Sequence, residues 1–190
     1  MTDKNKVFEK AVEVLKEGGI LLYPTDTIWG IGCDATNDDA VARIFEMKNR
    51  NDSKSLIILA SDMDMVARYV KEIPEMAYTL VEISEKPVTI IYPEGVDLAE
   101  NVTAEDGSIA IRIPKSDFCI ELLKRFGRPI VSTSANVSDK PSPKKFVDIS
   151  EDIKSSVDYV IDCCMEKGAT HKASSIIKLG LHNEVQVIRE

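Results

Sequence analysis

Hydroxyl and amide side chains are concentrated in the segment VSTSAN (131–136), which follows a short apolar run. Four of its six residues, including Ser134 and Asn136, can form hydrogen bonds through their side chains. Small polar residues allow a ligand to approach the backbone closely, as in substrate-binding loops on a rigid scaffold. The same residues are equally suited to a capped turn at the end of a strand. The segment alone therefore leaves a binding loop and a structural turn open.

Arg112 interrupts the apolar segment SIAIRIP (108–114). If this segment is a strand, alternation places Ser108 and Arg112 on one face and the three isoleucines on the other. A buried guanidinium needs an anionic partner, because an unpaired buried charge is costly. That partner is either a carboxylate of this chain or the carboxylate of a ligand, which the arginine fork binds well.

Two further stretches combine polar side chains with a break in the hydrophobic pattern. YPTDTIWG (23–30) places hydroxyls and a carboxylate after a proline, which is typical of a turn but also suits a ligand site. MKNRNDSKSL (47–56) carries Lys48, Arg50 and Lys54. Cations near the end of a helix stabilise its dipole. Lys48 and Arg50 converge on one ligand only if the helix ends between them, since positions two apart face different sides.

Common nucleotide and hydrolase motifs are absent from the sequence. It contains no GxxxxGK[ST] loop, no GxGxxG and no GxSxG. The four cysteines and two histidines show no zinc-ligand spacing. If this chain binds phosphates, scattered side chains must do so.

Hydrophobic periodicity around these stretches predicts helices interleaved with strands. Several strands follow one another without a helix between them, which indicates an α/β fold with a single twisted mixed sheet and flanking helices. We expect residues 1–190 to form one domain. The first predicted helix contains Val7–Leu15, and the second starts at Asp38 or Asp39. The other three cover Asp62–Val70, Ile73–Ile83 and Asp117–Phe126, and Asp117 is the predicted cap of the last. The predicted strands are Ile20–Tyr23, Leu56–Ala60, Pro87–Tyr92, Ser108–Ile113, Pro129–Thr133, Asp158–Asp162, Ser174–Leu179 and Glu184–Arg189.

Composition narrows the function classes. The formal net charge is −8 over 190 residues, which argues against a nonspecific nucleic-acid binder, because such proteins neutralise phosphates with lysine and arginine. The sequence shows no apolar run long enough to span a bilayer and no secretory signal. A cytoplasmic protein with free thiols and no membrane association is the expectation.

Taken in order, the polar stretches resemble the YrdC/TsaC family of threonylcarbamoyl-AMP synthases, in their short single-domain form. The resemblance runs from Gly18 to about Arg189. It rests on YPTDTIWGIGCDA (23–35), the K-x-R motif with Lys54, IAIRIP, and the S-x-N motif within 134–136. It implies a YrdC-like fold with a large concave cavity.

The resemblance also implies an activity and residue roles. Such enzymes convert L-threonine, bicarbonate and ATP into threonylcarbamoyl-AMP (L-threonylcarbamoyladenylate) and pyrophosphate, for the threonylcarbamoyladenosine modification of tRNA. Mg²⁺ would accompany ATP without metal ligands from the chain, and a tRNA threonylcarbamoyl-transferase complex would use the product. Lys48 and Arg50 would be catalytic. Threonine would be bound by Thr25, Arg112, Ser134 and Ser174, and ATP by Lys48, Arg50, Lys54, Ser108, Asn136, Lys144 and Arg189.

The sequence departs from the family pattern mainly after the K-x-R motif, where Asn51 stands in place of a usual proline. Lys144 occupies a position where threonine is frequent, which leaves its role open. The main alternative is a YrdC-like module that contacts tRNA or double-stranded RNA without synthase activity. A second is the YrdC-like part of hydrogenase-maturation proteins, whose acylphosphatase and zinc-finger regions are not found in these 190 residues.

Overall fold

A computed structural model describes residues 3–48, 56–137, 141–182 and 184–190. In these residues the strands form one mixed sheet with the order β7-β1-β2-β6-β3-β5-β4-β8-β9. The strands are β1 (Leu21–Tyr23), β2 (Gly30–Gly32), β3 (Ile57–Leu59), β4 (Val88–Tyr92), β5 (Ile109–Arg112), β6 (Ile130–Ser134), β7 (Tyr159–Val160), β8 (Ser175–Leu179) and β9 (Val185–Arg189).

The sheet mixes parallel and antiparallel neighbours at its centre. Strand β3 is parallel to β5 and antiparallel to β6, and β4 is antiparallel to β5 but parallel to β8. The predicted single mixed sheet with flanking helices is therefore confirmed. The helices are α1 (Lys4–Lys16), α2 (Asp38–Lys48), α3 (Met63–Tyr69), α4 (Glu75–Ile83), α5 (Asp117–Phe126) and α6 (Glu151–Ser156), with 3-10 turns at Phe146–Asp148 and Cys163–Met165.

Helix ends follow local capping chemistry. Helix α1 begins after Asp3, whose carboxylate accepts a hydrogen bond from the Asn5 amide. Helix α5 ends at Gly127, whose φ of 79° is the left-handed conformation that glycine adopts without strain. The predicted cap of α5 is wrong by one residue. Ser116, not Asp117, is the N-cap, because its hydroxyl accepts from the third amide of the helix, that of Cys119.

Two hydrophobic cores cover the sheet. On one face of the sheet, α2 and α3 pack on the strand residues that point to that face, such as Leu22, Ile58 and Ile111. On the other face, α1 and α5 pack on Leu21, Leu59 and their neighbours. Leu59 pairs with Arg112 across β3 and β5, so the second core and Arg112 share one face of the sheet. The cavity described below lies on this face beyond that core and extends from β6 and β3 across β5 and β4 to β8 and β9.

The eight predicted strands correspond to β1 and β3 to β9, and the five predicted helices to α1 to α5. Strand β2 and helix α6 were not predicted. Strand β2 consists of Gly30, Ile31 and Gly32, so no pattern of side chains indicates it. A Cβ atom on Gly32 would collide with the carbonyl oxygen of Val131 and come within 2.7 Å of the Tyr23 ring. The absence of a side chain therefore allows β2 to approach its neighbours.

We expect Gly32→Ala to lower the free energy of unfolding by about 1–3 kcal/mol, because the added methyl group overpacks the space between β2 and its neighbours. Urea denaturation followed by circular dichroism measures this change. Val147→Ala is the control, since Val147 is 78% exposed and its truncation should change stability by less than about 0.5 kcal/mol. A wild-type midpoint for the Gly32 variant would contradict the close approach of β2.

Candidate active site

A cavity of about 400 Å³ lies on the sheet face formed by β3, β5, β4, β8 and β9, beside the end of β6. This volume is within the range of small-molecule sites. Its wall combines two arginines, several hydroxyl groups and apolar strand residues. The lining residues are Thr27, Ile28, Gly30, Ile57, Ile91, Ala110, Arg112, Ser132, Thr133, Ser134, Ser142, Ala173, Ser174, Ile176, Ile188 and Arg189.

Arg112 lies in the wall of the cavity with its charge already paired. One terminal nitrogen of its guanidinium donates to the Asp26 carboxylate, and the other donates to the Thr27 hydroxyl at 3.3 Å. The side chains of Arg112 and Asp26 are 4% and 5% exposed. Of the two partners that the sequence left open, the structure therefore contains the internal carboxylate. The arginine still borders the cavity and can present its fork to a ligand carboxylate.

Thr25 lies next to the cavity wall rather than among the lining residues, and Thr27 takes the place in the wall. The Thr25 hydroxyl donates to the carbonyl of Ile28 at 2.7 Å and lies 2.9 Å from the Thr27 hydroxyl. Sequence reasoning did not select Thr27. Its position two residues after Thr25 in the same polar segment was the only indication in the sequence that it could belong to the site.

Lys48 connects the end of helix α2 to the end of β6. Its ammonium donates to the carbonyl oxygens of Ser134 at 2.6 Å and Asn136 at 2.7 Å, and the side chains of both residues lie 3.4 Å away. Lys48 is only 3% exposed. The S-x-N segment thus forms a turn that a buried cation organises, and its Ser134 borders the cavity.

Ser174, just before β8, and Arg189, at the end of β9, meet in the cavity wall. Arg189 donates to the Ser174 carbonyl through Nε at 2.9 Å and Nη2 at 2.7 Å. The Ser174 hydroxyl lies 2.7 Å from that of Thr89, which is fully buried. Burial lowers the pKa of the Arg189 guanidinium below its usual value, because desolvation disfavours the charged form. The structure therefore brings together four of the predicted residues, namely Arg112, Ser134, Ser174 and Arg189.

Other predicted residues lie outside this wall. Ser108 shares a strand face with Ala110, but its hydroxyl donates at 2.5 Å to Asp106, which pairs with Lys178 at 2.8 Å. Hydrogen bonds from Lys178 and Ser108 hold the pKa of the Asp106 carboxyl well below its usual value. Lys144 is exposed and does not line the cavity, whereas Ser142 does. Arg50 and Lys54 lie outside the described residues.

An apolar wall, which sequence reasoning missed, completes the cavity. It is formed by Ile57, Ala110 and Ile91, which lie side by side on β3, β5 and β4. Ile176 and Ile188 extend it onto β8 and β9. Alternation along SIAIRIP indicated that Ala110 faces away from the isoleucines of its own strand. It did not indicate which residues of the adjacent strands would lie beside Ala110.

The donors of the described part of the chain do not suit a resident metal ion. No group of three or more histidine, cysteine, aspartate or glutamate residues in it could hold one. The carboxylate of Asp26 beside the cavity is already paired with Arg112.

No helix within the described ranges is long and apolar enough to cross a membrane. The site offers positive charge and hydroxyl groups, which suit anionic, hydroxylated substrates.

Comparison with known proteins is in line with this geometry. Residues 13–190 match the family model Sua5_yciO_yrdC, described as telomere recombination. The chain is 36% identical to the threonylcarbamoyl-AMP synthase of Hahella chejuensis over 154 residues, covering 80% of this chain and 84% of the relative. It is 33% identical to the threonylcarbamoyl-AMP synthase of Pyrococcus abyssi over 153 residues, covering 80% of this chain but 45% of that protein.

Solved structures show the same fold. P. abyssi Sua5 with the H234A/Y235A substitutions superposes with a TM-score of 0.88 at 29% identity, covering 99% of this chain and 57% of that one. The structure of P. abyssi Sua5 complexed with L-threonine gives 0.85 at 30% identity, covering 94% and 52%. Escherichia coli YciO, at 22% identity and a TM-score of 0.84, supports the fold alone and covers 100% of this chain and 91% of that one.

We expect Lys48→Met to lower the free energy of unfolding by about 1–3 kcal/mol, because the carbonyl oxygens of Ser134 and Asn136 lose a charged donor. Urea denaturation measures the change. Lys178→Met is the matched control, since its ion pair is partly exposed and contributes at most about 1 kcal/mol. Unchanged stability of the Lys48 variant would show that this side chain does not hold the turn.

Proposed function

Because the chain belongs to the Sua5/YciO/YrdC family, we propose that it is a threonylcarbamoyl-AMP synthase, with residues 1–190 acting as one domain. It would convert L-threonine, bicarbonate and ATP into threonylcarbamoyl-AMP and pyrophosphate. The observation that carries the proposal is the cavity that combines Arg112, hydroxyl side chains and Arg189.

The threonine half of the proposal rests on the wall around Arg112. Its guanidinium suits the substrate carboxylate, because an arginine fork matches a planar anion. The hydroxyls of Ser134 and Ser174 suit the amine and hydroxyl groups of threonine, and the isoleucines on the same sheet face suit its methyl group. Thr25 would act by holding Thr27, to which its hydroxyl is hydrogen-bonded.

The ATP half rests on the remaining cations and polar groups. We propose that Arg189 and Asn136 bind the nucleotide and that Lys48 acts by holding the turn of Asn136. Arg50 and Lys54 remain proposed phosphate ligands on the basis of the K-x-R resemblance. Asn136, Ser108 and Lys144 are absent from the cavity lining, so we propose that they contact a part of the nucleotide that lies outside it.

The chemistry that fits these residues uses a nucleophile supplied by the substrate. The neutral amine of threonine adds to carbon dioxide formed from bicarbonate, and loss of a proton gives a carbamate. A carbamate oxygen forms a bond to the α-phosphorus of ATP while the bond to the β-phosphate oxygen breaks, and pyrophosphate leaves with that electron pair. No serine or cysteine needs activation. The protein contributes position and neutralisation of phosphate charge.

Mg²⁺ would enter as part of the ATP substrate complex, since the described residues offer no cluster of carboxylates for it. The product is a mixed anhydride that a tRNA threonylcarbamoyl-transferase complex would use. We propose that the protein works in the cytoplasm, where tRNA modification takes place.

We expect the purified protein to release pyrophosphate from ATP only when both L-threonine and bicarbonate are present. A coupled pyrophosphatase assay measures the rate. L-Valine is the matched control substrate, because it replaces the hydroxyl of threonine with a methyl group of similar size. A site that hydrogen-bonds the hydroxyl should lower kcat/KM for valine by about 100-fold or more. Pyrophosphate release without threonine, or none with it, would contradict the proposal.

The alternative of an RNA-binding module without synthase activity has less support, because the net charge of −8 opposes phosphate binding over a broad surface. A gel-shift titration with tRNA and with double-stranded RNA, at increasing salt, separates the two functions. We expect weak binding that is lost at moderate salt. Tight RNA binding by a protein that makes no threonylcarbamoyl-AMP would favour the alternative.

A further inference from the structure

We propose that Asp26 is a positioning residue for threonine binding. Its carboxylate fixes the orientation of the Arg112 guanidinium, and its backbone carbonyl holds the segment that precedes Ser174. This inference rests on the proposed function, since it concerns how the same cavity holds its amino-acid substrate. Asp26 itself is not among the residues that line the cavity, so it acts through its neighbours.

The two carboxylate oxygens of Asp26 have different partners. Oδ1 accepts a hydrogen bond from Arg112, and Oδ2 accepts from the backbone amide of Lys115 at 3.0 Å. Lys115 follows β5 by three residues, so the carboxylate holds both the last residue of the strand and the chain beyond it. With one oxygen on each partner, the carboxylate cannot rotate without breaking one of the two contacts. The orientation of Arg112 is therefore set by the backbone as well as by the ion pair.

The main chain of Asp26 provides a second connection to the cavity. Its carbonyl oxygen accepts from the amide of Thr170 at 2.9 Å. Thr170 lies four residues before Ser174, and Ala173 and Ser174 both line the cavity. A single residue of the loop between β1 and β2 thus contacts the segments that carry two of the proposed threonine ligands, Arg112 and Ser174.

A purely stabilising role explains this arrangement poorly. Removing two charges from water costs several kcal/mol, and well-packed apolar residues often replace a buried ion pair without loss of stability. The side chains of Asp26 and Arg112 are almost fully buried, yet Arg112 borders the cavity. Such a pair keeps an arginine oriented before the ligand arrives, which reduces the ordering cost of binding. It also leaves the pair without net charge, which suits a zwitterionic amino acid.

The chain contains a second buried aspartate that pairs with an arginine, here a partly exposed one, and it serves as the control. Asp34 is likewise buried, with 3% of its side chain exposed, and it pairs with Arg128 at 2.5 Å. It also accepts hydrogen bonds from the amide and hydroxyl of Thr36. Neither Asp34 nor Arg128 lines the cavity. The change of aspartate to asparagine can therefore be made at two buried, arginine-paired carboxylates, of which only one adjoins the proposed threonine site.

The test is calorimetric titration of L-threonine and of a non-hydrolysable ATP analogue into wild type, Asp26→Asn and Asp34→Asn. Asparagine keeps the size of aspartate but turns one oxygen into a donor, so contact with either Arg112 or Lys115 is lost. We expect Asp26→Asn to raise the Kd of threonine by about 10- to 100-fold and leave that of the analogue within about twofold. Asp34→Asn should leave both constants unchanged, although it too loses stability.

Each result has one interpretation. Wild-type threonine affinity in a folded Asp26→Asn protein would overturn the positioning role while leaving the proposed function intact. Failure of the wild type to bind threonine would overturn both. An equal loss of threonine and analogue binding would show that Asp26 is only structural. If Asp26→Asn is unfolded at the assay temperature, Asp26→Glu is titrated with trimethylamine N-oxide, which favours folded states. It keeps the charge but displaces the carboxylate, so unchanged threonine affinity would again overturn the role.

Discussion

The buried ion pair between Asp26 and Arg112 is the interaction on which the rest of the site depends. It connects the loop after β1 to the last residue of β5, and the same aspartate holds the backbone at Lys115 and Thr170. These segments are far apart in sequence and converge on one side of the cavity. A charge pair can be buried here because each charge has a partner: Arg112 donates to the Asp26 carboxylate and to Thr27, and that carboxylate also accepts from the Lys115 amide.

The other two described cations of the site are restrained in a different way. Lys48 donates to the carbonyls of Ser134 and Asn136, and Arg189 donates to the carbonyl of Ser174. Arg189 is thus held by a carbonyl dipole, whereas Arg112 is held by a carboxylate. The cavity wall therefore contains one arginine paired with a carboxylate and a second arginine bound to a carbonyl oxygen. This asymmetry matches a reaction that joins a zwitterionic amino acid to a highly charged nucleotide.

Much of the fold could be predicted from the sequence, because helices and strands have local periodic patterns. The helix containing Val7–Leu15 buries the residues that recur at helical spacing, and β5 places Ile109 and Ile111 in a core but Ala110 and Arg112 at the cavity, as SIAIRIP indicated. Strand β2 escaped prediction because Gly30 and Gly32 have no side chains to alternate. The cap of α5 was misassigned because Ser116 and Asp117 are both good capping residues and only the backbone conformation distinguishes them.

For the candidate site, the polar stretches that interrupt the hydrophobic pattern could be identified from the sequence, and their order along the chain indicated the family. The tertiary structure alone decided what each side chain contacts. Arg112 has its carboxylate partner 86 residues away, and Lys48 holds a turn 86 to 88 residues away. It also replaced Thr25 with Thr27 in the cavity wall and put Ser108 outside that wall. The local pattern of apolar residues indicates whether a segment is a helix or a strand and which side chains share a face. A contact across the sheet depends instead on strand order and register, which no short segment encodes.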